Sequence, residues 1–252
     1  MIPIYTTKEI VKIRESGKIL AYVMNSLLSK IKVGKSGLEL DLVARKLIEE
    51  ANAKPSFLGY RKFPAALCVS INEQLVHGVP SKRPFQKGDL ISLDLGIEYK
   101  GFYSDKAATI LLDDNTKFKV DFLRTIKNSL YEGINQAKNG IRIGVISNTI
   151  QNIIEKTGYY VVRDLSGHGI GRHVHEEPRV FNFGKSDDGP ILKEGMVLAI
   201  EPMACLGTHK IKLEKDNMTI SSFDDSLSAH FEETIVVTKN NPLILTKYLT
   251  LR

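Results

Sequence analysis

The sequence predicts an α+β domain made of two related halves, and three observations carry that prediction. Segments of helical period come in two pairs, each followed by apolar runs of strand length. A stretch of the first half recurs in the second: Lys87-Gly88-Asp89-Leu90-Ile91-Ser92-Leu93-Asp94 aligns with Glu194-Gly195-Met196-Val197-Leu198-Ala199-Ile200-Glu201. Each is a turn glycine followed six residues later by a carboxylate. At 252 residues, 42% hydrophobic and 25% charged, the chain can bury a full core, and its composition excludes disordered, collagen-like and disulfide-stapled classes. A single domain over residues 1–252 is expected, with halves at about 7–113 and 117–238.

The elements follow in order. Ile10, Ile13, Ile19, Leu20, Val23, Leu27 and Leu28 recur at helical spacing, predicting an amphipathic helix over Thr7 to Lys30 with Thr7 as its N-cap. A second helix is predicted from Leu38 to Ala53, capped by Ser36 and ended before Pro55. The apolar runs Ala66 to Ile71 and Leu90 to Ile97 read as strands. Beyond the acidic turn Asp113-Asp114-Asn115, helical patterns cover Lys119 to Lys138 and Val145 to Lys156, and strands return at Tyr159 to Val162, Met196 to Ile200 and Phe231 to Val237. His77-Gly78-Val79-Pro80 parallels His168-Gly169-Ile170-Gly171, so the halves are expected to face each other with their chemistry at the seam.

Charge and cysteine content narrow the class. The net charge of +6 comes from scattered lysines without interleaved aromatics, which disfavours specific nucleic-acid recognition. The two cysteines, Cys68 and Cys205, lie in separate apolar segments with no CxxC, fitting a reducing compartment and no disulfide. The N-terminal stretch has no signal-peptide core, and no run of about 18 apolar residues occurs. A cytoplasmic protein without membrane association is expected.

Carboxylates in apolar runs are the chemical signal. Asp94 ends Leu90-Ile91-Ser92-Leu93, and Glu201 follows Val197-Leu198-Ala199-Ile200, where an unpaired charge costs several kcal/mol. A hairpin turning on Glu98-Tyr99-Lys100-Gly101 places Asp94 and Asp105 directly opposite each other, and two opposed like charges call for shared protonation, separation in solvent or, the favoured reading, a bridging cation. Glu232 and Glu233 interrupt another strand, and alternation lets one of the two face inward without saying which. Among six histidines, His168 stands between Gly167 and Gly169, which permit tight turns and close approach of a ligand or metal. His175 could be a ligand, a substrate contact or surface; His173 shares a face with it if extended, and His230 shares one with Glu232. Four carboxylates with one imidazole form a hard donor set suited to two divalent ions with open coordination.

The ordered motifs Gly167-His168-Gly169-Ile170-Gly171-Arg172, His175-Glu176-Glu177-Pro178 and Ala199-Ile200-Glu201-Pro202-Met203, with Ser70-Ile71-Asn72-Glu73 and His77-Gly78-Val79-Pro80 upstream, resemble the type I methionine aminopeptidases. The resemblance extends from Ile13-Arg14-Glu15-Ser16-Gly17 to Thr234-Ile235-Val236-Val237-Thr238. It implies the pita-bread fold, two pseudo-symmetric αβ halves around a curved antiparallel sheet. It also implies that Asp94, Asp105, His168, Glu201 and Glu232 are the metal ligands and that Glu233 is not. The implied cofactor is a pair of divalent ions (Co, Mn, Fe or Zn) that activate a water, with Glu201 as general base. His77 and His175 would contact substrate and stabilise the oxyanion, and Tyr60, Phe63, Cys68 and His77 would line the methionine pocket, while His173, His209 and His230 inherit no role. Phe57 and Met218 depart from the family's usual cysteine and tryptophan at the pocket.

The implied reaction is removal of N-terminal methionine from nascent proteins when the second residue is small and uncharged, by a monomer that associates with ribosomes through its substrate. A Xaa-Pro aminopeptidase or prolidase of the same fold is the enzymatic rival, though such relatives usually carry a large extra N-terminal domain. A metal-free binding module of this fold is the non-enzymatic one, though such modules typically lose ligands.

Overall fold

The computed structural model describes residues 2–247. The first run of elements comprises α1 (Thr7–Leu28), α2 (Gly37–Glu50), β1 (Lys54–Pro55), a 3₁₀ turn at Tyr60–Lys62, β2 (Cys68–Ile71), β3 (Gln74–Val76), β4 (Leu90–Tyr99) and β5 (Phe102–Leu111). The second comprises α3 (Lys117–Gln136), α4 (Gly144–Glu155), β6 (Tyr160–Val161), β7 (Ser166–Gly169), β8 (Glu176–Phe181), β9 (Val197–Ile200), β10 (Met203–Cys205), β11 (Ile211–Leu213), β12 (Ile220–Ser222), β13 (Ser228–His230), β14 (Glu233–Val236) and β15 (Leu243–Ile244). All pairings between the strands are antiparallel.

Both leading helices start on a capping box. Ser36 caps α2 as expected, but α1 is capped by Thr6 rather than Thr7. The reason is local: Thr6 accepts from the Glu9 backbone N–H while the Glu9 carboxylate accepts from the Thr6 N–H, satisfying two donors that Thr7 could not reach with the same partner. Leu20, Met24 and Leu27 of α1 and Leu40 and Ile48 of α2 pack with Leu93 and Leu95 of β4. Full burial of each such side chain stabilises by about 1.5–3 kcal/mol on area grounds. In the second run, Phe122 and Ile126 of α3 and Ile146 and Ile150 of α4 pack with Leu198 and Ile235.

The β4–β5 hairpin corrects the expected pairing of the two aspartates. Lys100 and Gly101 both have positive φ, 51° and 81°, and form a two-residue loop closed by the Tyr99–Phe102 pair. The turn therefore centres one residue later than Tyr99/Lys100, and Asp105 faces Gly96 while Asp94 faces Ala107. The two carboxylates are diagonal neighbours on one face rather than directly opposed. Gly96 lies between them on that face, and a Cβ there would stand 2.1 Å from Ser56 Oγ and 2.9 Å from the Phe57 ring. Its lack of a side chain lets the segment carrying Phe57 close over the aspartates.

Side chains stitch β5 to the second run. The Asp105 N–H donates to Thr234 Oγ1 at 2.9 Å, the Thr234 hydroxyl returns a bond to the Asp105 carbonyl at 2.8 Å, and the Glu232 N–H donates to the Ala107 carbonyl. Glu232 and Glu233 are both buried, which alternation across one exposed face had not allowed. Glu232 sits between β13 and β14, beside β5, while Glu233 turns the other way and is met by Lys106, the Thr246 hydroxyl and Tyr131. A strand at this seam has protein on both sides. The segment before α1 also crosses to the second run: the Tyr5 N–H donates to the Gly195 carbonyl, and the Tyr5 hydroxyl donates to Glu176 at 2.6 Å and accepts from the Arg172 N–H.

Candidate metal centre

Three strands and two junctions deliver polar groups to one buried point. Asp94 and Asp105 come from β4 and β5, and His168 from β7, where it pairs with Ala199 of β9. His168 is therefore in a strand rather than a loop. Its flanking glycines serve the neighbouring strands: a Cβ on Gly167 would lie 2.4 Å from the Ala199 carbonyl oxygen, and one on Gly169 would lie 2.2 Å from that of Glu177. Glu201 follows the end of β9, its backbone carbonyl held by Asn182 Nδ2, and Glu232 follows β13. His168 Nδ1 lies 2.8 Å from the Gly169 carbonyl, so Nδ1 carries the hydrogen and Nε2 is left as a donor atom for a cation.

The carboxylates converge without cationic side chains. Among the described residues, none of Asp94, Asp105, Glu201 and Glu232 pairs with a lysine or arginine, and Asp94 Oδ1 and Glu232 Oε1 are buried without a hydrogen-bond partner. Burial, then the charge of Glu201, raises Asp94 to about 8. Burial and Asp94 push Asp105 well above its usual range, burial and Asp105 do so for Glu201, and burial with all three neighbours does so for Glu232. Burial lowers His168 to about 3, so its imidazole is neutral. Such a cluster must hold protons or cations to persist. Its donors favour cations: Asp105, His168 and Glu232 each offer a ligand atom within 4.8 Å of the others, and so do Glu201, His230 and Glu232. Asp94 lies outside both triads. Oxygen-rich sets with imidazole suit borderline and hard divalent ions.

The cluster floors a cavity of about 510 Å³. One wall is apolar, with Phe57, Phe63, Ala65, Cys68 and Val174 buried together and Met218 packed against them. Burial pushes the Cys68 thiol up, so it lines the wall as a neutral group, and neither cysteine is in a disulfide. At the mouth, the Tyr60 hydroxyl lies 3.0 Å from His175 Nδ1 with the rings stacked, and the His175 ring is 4.3 Å from that of His168. Burial and the nearby Arg61 guanidinium lower His175 to about 4 and also lower His77.

All ten residues singled out from the sequence line this one cavity: the five acidic and histidine ligand candidates with His77, His175, Tyr60, Phe63 and Cys68. Phe57 and Met218 line it too, whereas His173 and His209 do not. Among the other lining residues, Arg61 and His230 are polar groups to which the sequence assigns no role. Arg61 sits in a left-handed conformation, φ 46°, in the 3₁₀ turn, for which the sequence carries no signal. His230 had one, its shared face with Glu232, but the family resemblance gives that position no role. Its ring is 2% exposed and its Nε2 stands 3.4 Å from Glu201 Oε2.

Residues 11–239 match the model of Metallopeptidase family M24. The methionine aminopeptidase of Clostridium acetobutylicum is 42% identical over 247 residues, covering 98% of this chain and 99% of that protein. The crystal structure of the methionine aminopeptidase from Thermotoga maritima superposes with a TM-score of 0.96 at 38% identity, covering 98% of this chain and 100% of the other. The prolidase of Pyrococcus horikoshii superposes at 0.79 with 27% identity, but this chain spans 64% of its length. The architecture shared with these neighbours is the pita-bread fold. Among the described residues, no helix is long and apolar enough to cross a membrane.

Proposed function

The chain belongs to metallopeptidase family M24, and from that premise we propose that it removes the N-terminal methionine of peptides and nascent proteins, with two divalent cations held by Asp94, Asp105, His168, Glu201 and Glu232. The observation that carries this reading is the buried carboxylate cluster, without a lysine or arginine partner among the described residues, flooring a cavity with one apolar wall. Bound there, two such cations supply Lewis acidity, lowering the pKa of a shared water and polarising the scissile carbonyl.

The protein groups divide the remaining work. Phe57, Phe63, Cys68 and Met218 take the methionine side chain out of water and fix the carbonyl over the cluster. Glu201 accepts the proton of the attacking water on a carboxylate oxygen and passes it to the departing amide nitrogen. With the Tyr60 hydroxyl donating to His175 Nδ1, His175 Nε2 keeps its hydrogen and can donate to the developing oxyanion. His77, neutral at pH 7, contacts the substrate from the same rim. Methionine is removed when the second residue is small and uncharged. The physiological ion is one of Mn²⁺, Fe²⁺, Co²⁺ or Zn²⁺, all of which accept this donor set.

We also read the chain as one domain with a pseudo-twofold repeat of about 7–113 and 117–238; the support is that each run begins with a helix pair packed on its own strands. It acts as a cytoplasmic monomer that meets its substrates at the ribosome. The deciding experiment is turnover of Met-Ala-Ser, Met-Leu-Ser and Xaa-Pro peptides by chelator-stripped enzyme resupplied with each ion. Cleavage confined to Met-Ala-Ser supports the reading. Preference for Xaa-Pro bonds would make the enzyme a prolidase, and inactivity with every ion would make it a binding module.

A further inference from the structure

We propose that His230 is a second imidazole ligand of this centre, presented to Glu201 and Glu232 as His168 is presented to Glu201 and Asp105. The inference rests on the reading of the cluster as a dinuclear metal site.

The geometry of the two imidazoles is matched. His168 Nε2 lies 3.4 Å from Glu201 Oε1, and His230 Nε2 lies 3.4 Å from Glu201 Oε2 and 3.9 Å from Glu232 Oε2. Donors that bind one cation at about 2.1 Å stand about 3–4 Å from one another, so these are the separations of groups sharing an ion. Glu232 belongs to both donor triads, as expected of a carboxylate that bridges two cations.

His230 is also the one histidine of the cavity floor left with nothing to bond. Both ring nitrogens are buried without a hydrogen-bond partner in a residue 2% exposed, an arrangement that folded proteins rarely leave unsatisfied. Its position is not an accident of a mobile side chain's backbone. The His230 N–H donates to Thr109 Oγ1 at 3.0 Å, and the Thr109 hydroxyl donates to the His230 carbonyl at 2.8 Å, so β5 fixes the residue from both sides. The ring is thereby presented to the carboxylates from β13, whereas His168 reaches them from β7.

The test is proton NMR of the Co²⁺-loaded protein with ¹⁵N-labelled histidine, read beside Co²⁺ titration calorimetry. Each imidazole bound to Co²⁺ gives one strongly shifted ring N–H resonance. Wild type should show two, His230→Gln one, and His168→Gln the other. His230→Gln should also weaken one of the two binding events by about 10-fold or more and spare the other. A single shifted resonance in wild type, or an unchanged spectrum and unchanged affinities in His230→Gln, overturns the assignment of His230 while leaving the metal centre in place. Failure of wild type to bind Co²⁺ stoichiometrically removes the underlying reading as well. The wild-type spectrum decides the matter if the variant does not fold.

Discussion

Lys106→Met is the most exacting test of how this centre is held. Lys106 and Glu233 each follow a proposed ligand, Asp105 and Glu232, and their ion pair lies behind the cluster with side chains only 11% and 6% exposed. Methionine keeps the length of the stem and removes the charge, leaving Glu233 with the Thr246 hydroxyl and Tyr131 as its companions. Breaking a buried pair from one side costs about 3–5 kcal/mol, because the remaining charge is uncompensated. The retained hydroxyl donors place the expected loss toward the lower end, about 3 kcal/mol. For a chain of this length that lowers Tm by about 6–12 °C, at about 2–4 °C per kcal/mol. Replacing both partners in Lys106→Met/Glu233→Leu should restore most of the loss, since an apolar pair of similar volume is often neutral. The assay is urea and thermal unfolding of the chelator-stripped proteins arranged as a double-mutant cycle. Additive effects, or a single variant within about 0.5 kcal/mol of the parent, would refute the claim that the pair is a coupled buried unit.

Three further outcomes are expected. His175→Gln should reduce turnover by about 10²–10³-fold while metal content stays at the wild-type value, because the lost group faces the oxyanion; metal analysis beside kinetics checks this. Gly96→Ala should raise KM for methionyl peptides and lower stability, since the new methyl meets Ser56 Oγ at 2.1 Å and the Phe57 ring at 2.9 Å; an unaltered KM would show that Phe57 does not shape the pocket. The metal-free enzyme should lose stability as pH rises from about 6.5 to 8. In the unfolded chain the four carboxylates are already ionised there, whereas the fold raises Asp94 to about 8 and holds Asp105, Glu201 and Glu232 well above the usual carboxylate range. The extra stability is full below the unfolded carboxylate pKa and declines by up to about 1.4 kcal/mol per pH unit for each proton held. Added metal should abolish the trend, and urea midpoints that rise with pH in the stripped protein would contradict the cluster electrostatics.

Much of this was legible in the sequence because it was written in residue types that conflict with their surroundings. Asp94 is a charge within the apolar strand β4 and Glu201 one just past β9, so local chemistry marked both; Ser36 followed by Glu39 marked the start of α2, whereas the cap of α1 is Thr6, one residue before the Thr7 expected. The hairpin register was not legible, because it turns on Lys100 adopting a left-handed conformation that no side chain announces. The glycines around His168 carried a true signal with the wrong cause, strand crowding in place of a turn. Period-2 alternation could not foresee that Glu232 and Glu233 would both be buried, since it assumes one wet face and the seam between the two runs has none. His230 shows the opposite failure: alternation put it beside Glu232, and the family pattern supplied no reason to keep it.

The Tyr5 strap sets an order of events during synthesis. Tyr5 is made well before its partners Arg172, Glu176 and Gly195. Arg172 and Glu176 flank His175, so the rim proposed to meet substrate gains its anchor only when a later-made stretch folds back onto an earlier one. The residues of α1 and α2 are therefore made long before the rim can be held, and the proposed activity is expected only once that closure is complete.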